Sequence, residues 1–221
     1  MGCFLIYNHI QMYKVFFNEK PLNLITSIAH SSSEEHPILF LKYIHPIGII
    51  KALKSKKVKA VSLYHQDEEK LFSYLTEWFP MVEAGGGLVQ HQNGSYLFIF
   101  RNKKWDLPKG KRNKKEDIIS GAKREVYEET NVGDLMIQKA LQITYHLFKA
   151  NGRYKLKKTH WYLMQTTYAG RLLPQQEESI EQAVWCTKEE IPTLMENAYE
   201  NIKLIVAEGV YNRTALGTRE E

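Results

Sequence analysis

The stretch of sequence that decides the fold is GKRNKKEDIISGAKREVYEETNV, residues 110–132. After a basic and polar run, its apolar residues recur at helical spacing, namely Ile119, Ala122 and Val126. Its glutamates stand at positions i, i+3 and i+4 and so share one side of a helix: Glu125, Glu128 and Glu129. The stretch predicts a helix at 116–130 with an apolar stripe for packing and an acidic side.

The acidic side of this helix favours a divalent cation. Three carboxylates held close together repel one another, and a cation is the usual way to make such a cluster favourable where it is partly removed from water. Hard oxygen ligands prefer Mg²⁺ or Mn²⁺. Because an arbitrary run of glutamates more often faces water, the assignment depends on the residues that surround the helix.

The residues around the helix follow a fixed spacing. The pattern reads, in order, Gly110, five residues, Glu116, seven residues, Arg124-Glu125-Val126, one residue, Glu128-Glu129, two residues and Val132. This spacing closely resembles the box of the Nudix hydrolase family, in which a glycine is usual where this chain has Asn131. Six of the seven invariant positions match. At an average frequency of about 6% for each residue type, chance gives such a match with a probability on the order of 10⁻⁷.

The departure at Asn131 is physically mild. The family glycine ends the helix in a left-handed conformation, and asparagine is the next most tolerant residue there. The substitution therefore bears on how the helix ends and not on metal binding.

The resemblance implies an α/β (α+β) fold, a mixed-sheet α/β/α sandwich over residues 81–210 in which a loop-helix-loop lies against the sheet. The Asn93-Gly94 turn between the strand-like AGGGLVQ and SYLFIFR supports a domain start near Val82. A small N-terminal α/β domain is expected over residues 1–80, with no motif that indicates a function. Residues 211–221 are expected to form a disordered tail.

Local patterns predict further elements in both parts. The first part is expected to hold a hairpin at 12–28, a strand at 38–44, a helix at 46–55, a strand at 59–65 and a helix capped by Asp67. The second part is expected to hold strands at 135–149, 154–168 and 182–186, and one C-terminal helix from 188 to 208.

The resemblance also implies roles for individual residues. The metal ligands would be Glu125, Glu128, Glu129 and the carbonyl oxygen of Lys109. Glu116 and Arg124 would form an ion pair that locks the loop onto the helix, and Gly110 would permit a tight turn. A metal-activated water would attack phosphorus, and a carboxylate would take its proton. The catalytic residues would be Glu125, Glu128, Arg124 and Glu178, with Glu178 preferred as general base over Glu177 and Glu181.

Basic residues around the box indicate a phosphate-rich substrate. Lys109, Lys111 and Arg112 precede the helix, where its dipole and their charges both attract phosphate. A second candidate group for binding the substrate's polyphosphate tail lies near the start of the strand THWYLM and consists of Lys157, Lys158 and His160. The segment WDLPKGK at 105–111 resembles relatives that act on diadenosine polyphosphates and diphosphoinositol phosphates. A small-molecule phosphoanhydride is therefore the expected partner.

Two other functions stay open. A nucleotide-sensing regulatory module would bind its ligand without cutting it, although a pure sensor would not need all three glutamates. An RNA 5′-end pyrophosphohydrolase is supported by the basic clusters and by a Pro-Lys-Gly-Lys segment similar to that of mRNA decapping relatives, and it would show steep salt dependence. Since no recognisable RNA-binding motif accompanies it, nucleic acid is not the favoured partner.

The composition fits one large globular domain, or a small domain joined to a medium one. The chain has 221 residues, of which 43% are hydrophobic, and a net charge of +5. It has no apolar run of about 18 residues and no secretory leader, so a cytoplasmic protein without a membrane span is expected.

The two cysteines, Cys3 and Cys186, are too few for a disulfide framework and are expected to be free thiols. Met1-Gly2 lacks the Ser or Thr that a myristoylation signal has at position six. Met12 is an alternative start, and a homodimer is a further expectation.

Overall fold

The computed structural model describes residues 14–29 and 31–211. By its internal contacts the chain divides into two compact units between Pro80 and Met81. The expectations for Cys3 and for a start at Met12 lie outside the described residues. So does the tail expected at 211–221, except for Tyr211, which belongs to a π-helical turn. No helix among those described is long and apolar enough to cross a membrane.

The described part of the first unit forms a four-stranded sheet with two α-helices. Its elements are β1 (Lys14–Phe17), β2 (Lys20–Ile25), β3 (Ile38–Phe40), α1 (Pro46–Lys54), β4 (Val61–Tyr64) and α2 (Glu68–Trp78). The strand order is β1-β2-β4-β3, with β1 antiparallel to β2 and the other pairs parallel. Asp67 caps α2 by accepting a hydrogen bond from the Lys70 amide at 3.2 Å. The strand expected at 38–44 ends at Phe40, because Leu41–Tyr43 form a 3-10 turn that buries Leu41.

Over its described residues, 81–211, the second unit contains eight strands and three α-helices. Its strands are β5 (Met81–His91), β6 (Tyr96–Arg101), β7 (Lys104–Asp106), β8 (Lys109–Lys111), β9 (Met136–Ala140), β10 (Thr144–Ala150), β11 (Arg153–Thr166) and β12 (Ile180–Cys186). Its helices are α3 (Ile118–Thr130), α4 (Ile191–Glu196) and α5 (Glu200–Val206), and a π-helical turn at Ala207–Tyr211 follows α5.

The sheet of this second unit has the order β12-β6-β5-β11-β10. β11 runs parallel to β5, and the other neighbours are antiparallel. Three strands pair alongside this path: β7 with β6, β8 with β5, and β9 with β11. The expected mixed-sheet α/β fold is confirmed.

Alternate residues of β5 and β11 build a core on each face of this sheet. The core on the face covered by α3 includes Val89, Ala122, Val126, Tyr162 and Met164. The core on the face covered by α5 includes Leu88, Trp161, Leu163, Ile202 and Ile205. The free thiol of Cys186 is buried in this second core. The layers are therefore helix, sheet and helix.

The glycines of β5 let other segments approach the strand closely. A Cβ at Gly85 would lie 3.0 Å from the backbone of Ala122 in α3. A Cβ at Gly86, on the opposite face, would lie 2.6 Å from the Pro108 carbonyl oxygen and 2.9 Å from the Trp161 ring. These glycines bring α3 and the segment before β8 against the same strand from opposite sides.

Two expected elements are interrupted by tertiary hydrogen bonds. The strand expected at 135–149 is split into β9 and β10, because the Leu141 amide donates to the Trp161 carbonyl and the Gln142 amide donates to Glu208. The helix expected at 188–208 is split into α4 and α5, where the Asn197 carbonyl accepts from the Trp105 amide. In both places a distant segment takes up backbone groups that a continuous element would have used.

Candidate active site

Local side-chain bonds fix both ends of α3. Asp117 caps the start by accepting from the amides of Ile119 and Ser120, at 3.0 and 2.9 Å. At the other end Asn131 has a φ of 68° and takes the left-handed conformation that its family counterpart, glycine, prefers. The Asn131 amide group also donates to Tyr168 Oη at 2.7 Å and to the Arg171 carbonyl at 3.2 Å. Glycine could make neither bond.

Arg124 ties the loop before α3 to the helix. Its Nη2 donates to Glu116 at 2.6 Å and to the Lys111 carbonyl at 3.0 Å, and its Nε donates to Glu116 at 3.0 Å. The Asn113 amide donates to the same carboxylate at 2.5 Å. These hydrogen bonds lower the pKa of Glu116 to about 2, and the bond from the Arg124 side chain has the largest effect. The loop is therefore held by a carboxylate that stays ionised in the neutral pH range.

Glu125 and Glu128 share the remaining nitrogen of Arg124. Nη1 donates to Glu125 at 2.8 Å and to Glu128 at 2.7 Å. Glu125 lies against β8 so closely that a Cβ at Gly110 would overlap its carboxylate. Burial raises the pKa of Glu125, and repulsion from Glu128 and Glu178 adds to this against the effect of Arg124. One cationic group thus bridges two carboxylates beside a glycine that leaves them room.

Glu129 points into the protein. It is 1% exposed and accepts from the Lys109 amide at 2.9 Å, and Arg101 Nη1 lies 3.5 Å from it. Burial raises the pKa of Glu129 to about 7, because its effect is larger than that of the positive charges of Lys109 and Arg101, which lower this pKa. Glu129 is therefore easily protonated unless a further cation stabilises its charge.

The residues expected to hold a metal provide a suitable set of donors, although their side chains do not converge. Within residues 14–29 and 31–211, no three His, Cys, Asp or Glu side chains already form a metal-binding group. Glu125 and Glu128 lie close enough to share one cation, and the cavity left by Gly110 would be filled by any other side chain. Carboxylate oxygens are what Mg²⁺ and Mn²⁺ prefer. A divalent cation fits these donors and would compete with Arg124 Nη1 for them.

A buried ionic group lies under β8. Lys109 Nζ is 2.7 Å from Asp106 Oδ2, and Arg101 Nε is 3.3 Å from the same oxygen. The side chains of Asp106 and Lys109 are 3% and 9% exposed. Asp106 was not among the residues predicted from the sequence, where its only signal is its place in WDLPKGK. The Lys109 side chain, expected to bind substrate, is therefore engaged by Asp106.

The other expected substrate-binding residues fall in two places. Arg112 donates to the carbonyls of Asn113 and Glu116, at 3.2 and 3.0 Å, and Lys111 is exposed beside it. Lys158 and His160 both lie next to Glu83, at 3.5 and 2.6 Å. Glu83 was not predicted from the sequence either, because β5 and β11 are distant along the chain and only the fold pairs them. Lys158 and His160 thus form a separate group around Glu83.

The loop that carries Glu178 is anchored to the end of α3. The Leu173 amide donates to the Thr130 carbonyl at 3.0 Å, and the Gln175 amide donates to the Glu129 carbonyl at 3.2 Å. Glu178 then ends a 3-10 turn, Gln176–Glu178, and is exposed. Its charge is among those that raise the pKa of Glu125. The anchoring therefore brings Glu178 toward the carboxylates of the helix.

Comparison with protein families matches the NUDIX domain over residues 80–206. Comparison with curated proteins found no match. Among solved structures, an Ap4A hydrolase binary complex from C. elegans is 23% identical, with a TM-score of 0.43, and the match covers 56% of this chain and 92% of that one. A NUDIX hydrolase from Nitrosomonas europaea is 20% identical, with a TM-score of 0.44, and the match covers 57% and 86%. A MutT NUDIX hydrolase from Burkholderia pseudomallei is 20% identical, with a TM-score of 0.43, and the match covers 59% and 98%.

Proposed function

Since the chain belongs to the Nudix family, whose domain matches more than half of it, we propose that its second unit is a divalent-metal-dependent pyrophosphohydrolase. Its expected metal is Mg²⁺ or Mn²⁺, held by Glu125, Glu128, Glu129 and the carbonyl oxygen of Lys109. The observation that carries this proposal is the shared bonding of Glu125 and Glu128 to one nitrogen of Arg124. Two carboxylates that share one cationic nitrogen can also share a metal ion.

A bound divalent cation would neutralise the phosphate oxygens and lower the pKa of the attacking water. The residues of this chain position the reaction around it. Glu116 keeps its two bonds to Arg124 when Nη1 releases Glu125 and Glu128, so the helix and its loop stay aligned. Arg124 therefore acts as a positioning residue that can yield carboxylates to a cation without losing its own place.

Glu178 is the preferred general base. It is exposed to water, and its loop is fixed to the last turn of α3 by two backbone hydrogen bonds. Its charge contributes to the raised pKa of Glu125, which supports a place near the carboxylates of the helix, where it could take the proton of the attacking water. Glu177 and Glu181 belong to the same exposed segment and are the alternatives.

The preferred substrate is a diadenosine polyphosphate or a diphosphoinositol-like compound. The resemblance of WDLPKGK to relatives that act on such compounds supports this choice. The exposed Lys111 and the basic residues that follow it at the start of α3 give positive charge where phosphate groups would collect. A small molecule with several phosphates fits this charge better than one with a single diphosphate.

An activity panel tests this proposal. The purified protein is incubated with Mg²⁺ and with diadenosine polyphosphates, inositol pyrophosphate, ADP-ribose, NADH, nucleoside triphosphates and triphosphorylated RNA. We expect turnover of one polyphosphate, which Glu128→Gln abolishes and which Glu189→Gln, a change at an exposed glutamate outside the candidate site, retains. Inactivity on the whole panel together with tight nucleotide binding would instead favour the sensing module. Turnover of triphosphorylated RNA alone would favour the RNA-end hydrolase.

A further inference from the structure

One face of the β10–β11 hairpin carries a row of basic side chains. The antiparallel register pairs His146 with Lys157, Phe148 with Lys155, and Ala150 with Arg153. Side chains of directly paired residues point to the same face of a sheet, and every second residue of a strand returns to that face. We call this set the hairpin row: His146, Phe148, Lys155, Lys157 and Arg153.

The hairpin row begins beside the candidate active site. Lys157 and Trp161 are four residues apart on β11, so both side chains are on the face that α5 covers. A Cβ at Gly86 would contact both the Lys109 Cβ and the Trp161 ring, so Lys109 lies on this face as well. Lys158 and His160, one residue out of phase, point to the opposite face with Glu83. The row therefore leads outward from the side of the sheet where Lys109 and its buried ionic group lie.

The inner end of the row lies near two further positive charges, those of Lys109 and Arg101. Burial has the largest effect on the pKa of Lys157, and the positive charges of Lys109 and Arg101 add to it. Together they lower this pKa to about 8. Burial and Lys157 lower the pKa of His146 to about 4. The acidic groups that face Lys157 are Asp106 and Glu129, and both are already engaged by Arg101 and Lys109. Positive charge that the protein does not neutralise there is available to an anion.

The outer end of the row is open to water. Arg153 is exposed, Lys155 is half-buried, and Lys157 Nζ lies 5.0 Å from the centre of the Phe148 ring. Between Lys157 and Arg153 the strand advances about 13 Å, at about 3.3 Å per residue. The row thus offers three cations in line, as a chain of phosphate groups would require.

We propose that the hairpin row binds the phosphate groups of the substrate that lie beyond the scissile diphosphate. This inference rests on the proposed function and deepens it, because it assigns the substrate to the compounds with more than two linked phosphates. Of the three residues expected to bind the substrate's anionic tail, it keeps Lys157, replaces Lys158 and His160, and adds Lys155 and Arg153. Charge and geometry both favour this row, because Glu83 already occupies the other face.

Calorimetry with inorganic tripolyphosphate and diphosphate, in chelator and without turnover, tests the row separately from catalysis. We expect tripolyphosphate to bind more tightly than diphosphate. Lys157→Met and Lys155→Met should each weaken tripolyphosphate binding about tenfold, and Lys157→Arg should retain it. The matched control is Lys149→Met, an exposed lysine on the other face of the same hairpin. Thermal melting shows that each variant is folded.

Several results would overturn the proposal. Unchanged tripolyphosphate binding in both Lys157→Met and Lys155→Met would overturn it. The control variant Lys149→Met would also overturn it by losing as much affinity as these two, because the attraction would then be unspecific. If a short RNA without a 5′ triphosphate bound as tightly as tripolyphosphate, with the same dependence on Lys157, the row would be a nucleic-acid surface instead. Failure of the activity panel with intact tripolyphosphate binding would overturn the proposed function and leave the row in place.

Discussion

The planar guanidinium group of Arg124 binds both the loop before α3 and two carboxylates of the helix. Nε and Nη2 hold Glu116 and the loop, whereas Nη1 holds Glu125 and Glu128. A guanidinium can do this because its donors are fixed in a fork, which an ammonium group lacks. The loop and the carboxylates are therefore coupled through a single side chain.

Arg124→Lys should lose this coupling. A lysine can keep the charge but not the paired bonds to Glu116, so we expect the free energy of unfolding to fall by about 1–3 kcal/mol. Turnover should fall further than stability accounts for, because the carboxylates lose their alignment. Urea denaturation and kcat measure the two effects. The control is Lys123→Gln on the same helix, and equal effects of the two changes would contradict the assignment.

The pKa of Glu129 predicts how stability depends on pH. Burial raises this pKa from 4.5 to about 7, so protonated Glu129 favours the folded state. Its contribution to stability is fully present below pH 4.5 and is lost as the pH rises through 7. The loss should be on the order of 3 kcal/mol. Melting temperatures in chelator from pH 5 to 8 measure it.

Glu129→Gln should flatten that pH profile, because the amide cannot ionise. A divalent cation should restore stability to the unmodified protein at pH 8 but not to the variant, since the cation replaces the proton on the carboxylate. If the profile of the variant matched that of the unmodified protein, Glu129 would not be the titrating group.

The C-terminal end of α3 depends on both the backbone conformation and the side-chain bonds of Asn131. Asn131→Gly keeps the left-handed conformation and loses the bonds to Tyr168 and Arg171, whereas Asn131→Ala loses the bonds and is strained as well. We expect Asn131→Ala to lower the free energy of unfolding by about 1–2 kcal/mol, and Asn131→Gly to lower it less. Chemical denaturation checks this order. Equal losses in the two variants would show that the side-chain bonds, which both variants lack, matter more than the strain of the left-handed backbone.

The contact between β5 and α3 gives a second prediction at this scale. Gly85→Ala would place a methyl group 3.0 Å from the backbone of Ala122, so the helix would have to move away from the strand. We expect a loss of about 1–3 kcal/mol of stability, as for other overpacked cores. Gly133→Ala is the control, because a Cβ there has no neighbour within 4 Å. Equal stabilities would mean that α3 shifts at no cost.

The sequence predicted α3 well because the signals of that helix are local. Its apolar spacing, its carboxylates and Asn131 all lie within one stretch, and the observed helix, 118–130, differs from the expected one only by its first two residues. The breaks at 141–143 and 197–199 were missed since their causes, Trp161, Glu208 and Trp105, are distant in sequence. The pairing of Glu83 with His160 was hidden for the same reason.

At the scale of the whole molecule, the net charge of +5 is unevenly distributed. Basic residues gather before α3 and along β11, and salt screens such charges over about 10 Å at 0.1 M. We expect the KM for a polyphosphate substrate to rise about three- to tenfold between about 50 and about 300 mM NaCl, with little change in kcat. Steady-state kinetics measure this, and a KM that does not change with salt would mean that long-range charge does not attract the substrate.

The expected homodimer stays a prediction, which analytical ultracentrifugation would test.

The anchoring of the 173–178 loop has a consequence for protein engineering. The loop takes its position from the carbonyls of Glu129 and Thr130 and from the bonds that Asn131 makes to Tyr168 and Arg171. A loop from a relative, grafted here to move the general base, would therefore need a matching residue at the helix end. By the same reasoning, a change of base during evolution and a change at position 131 would tend to occur together.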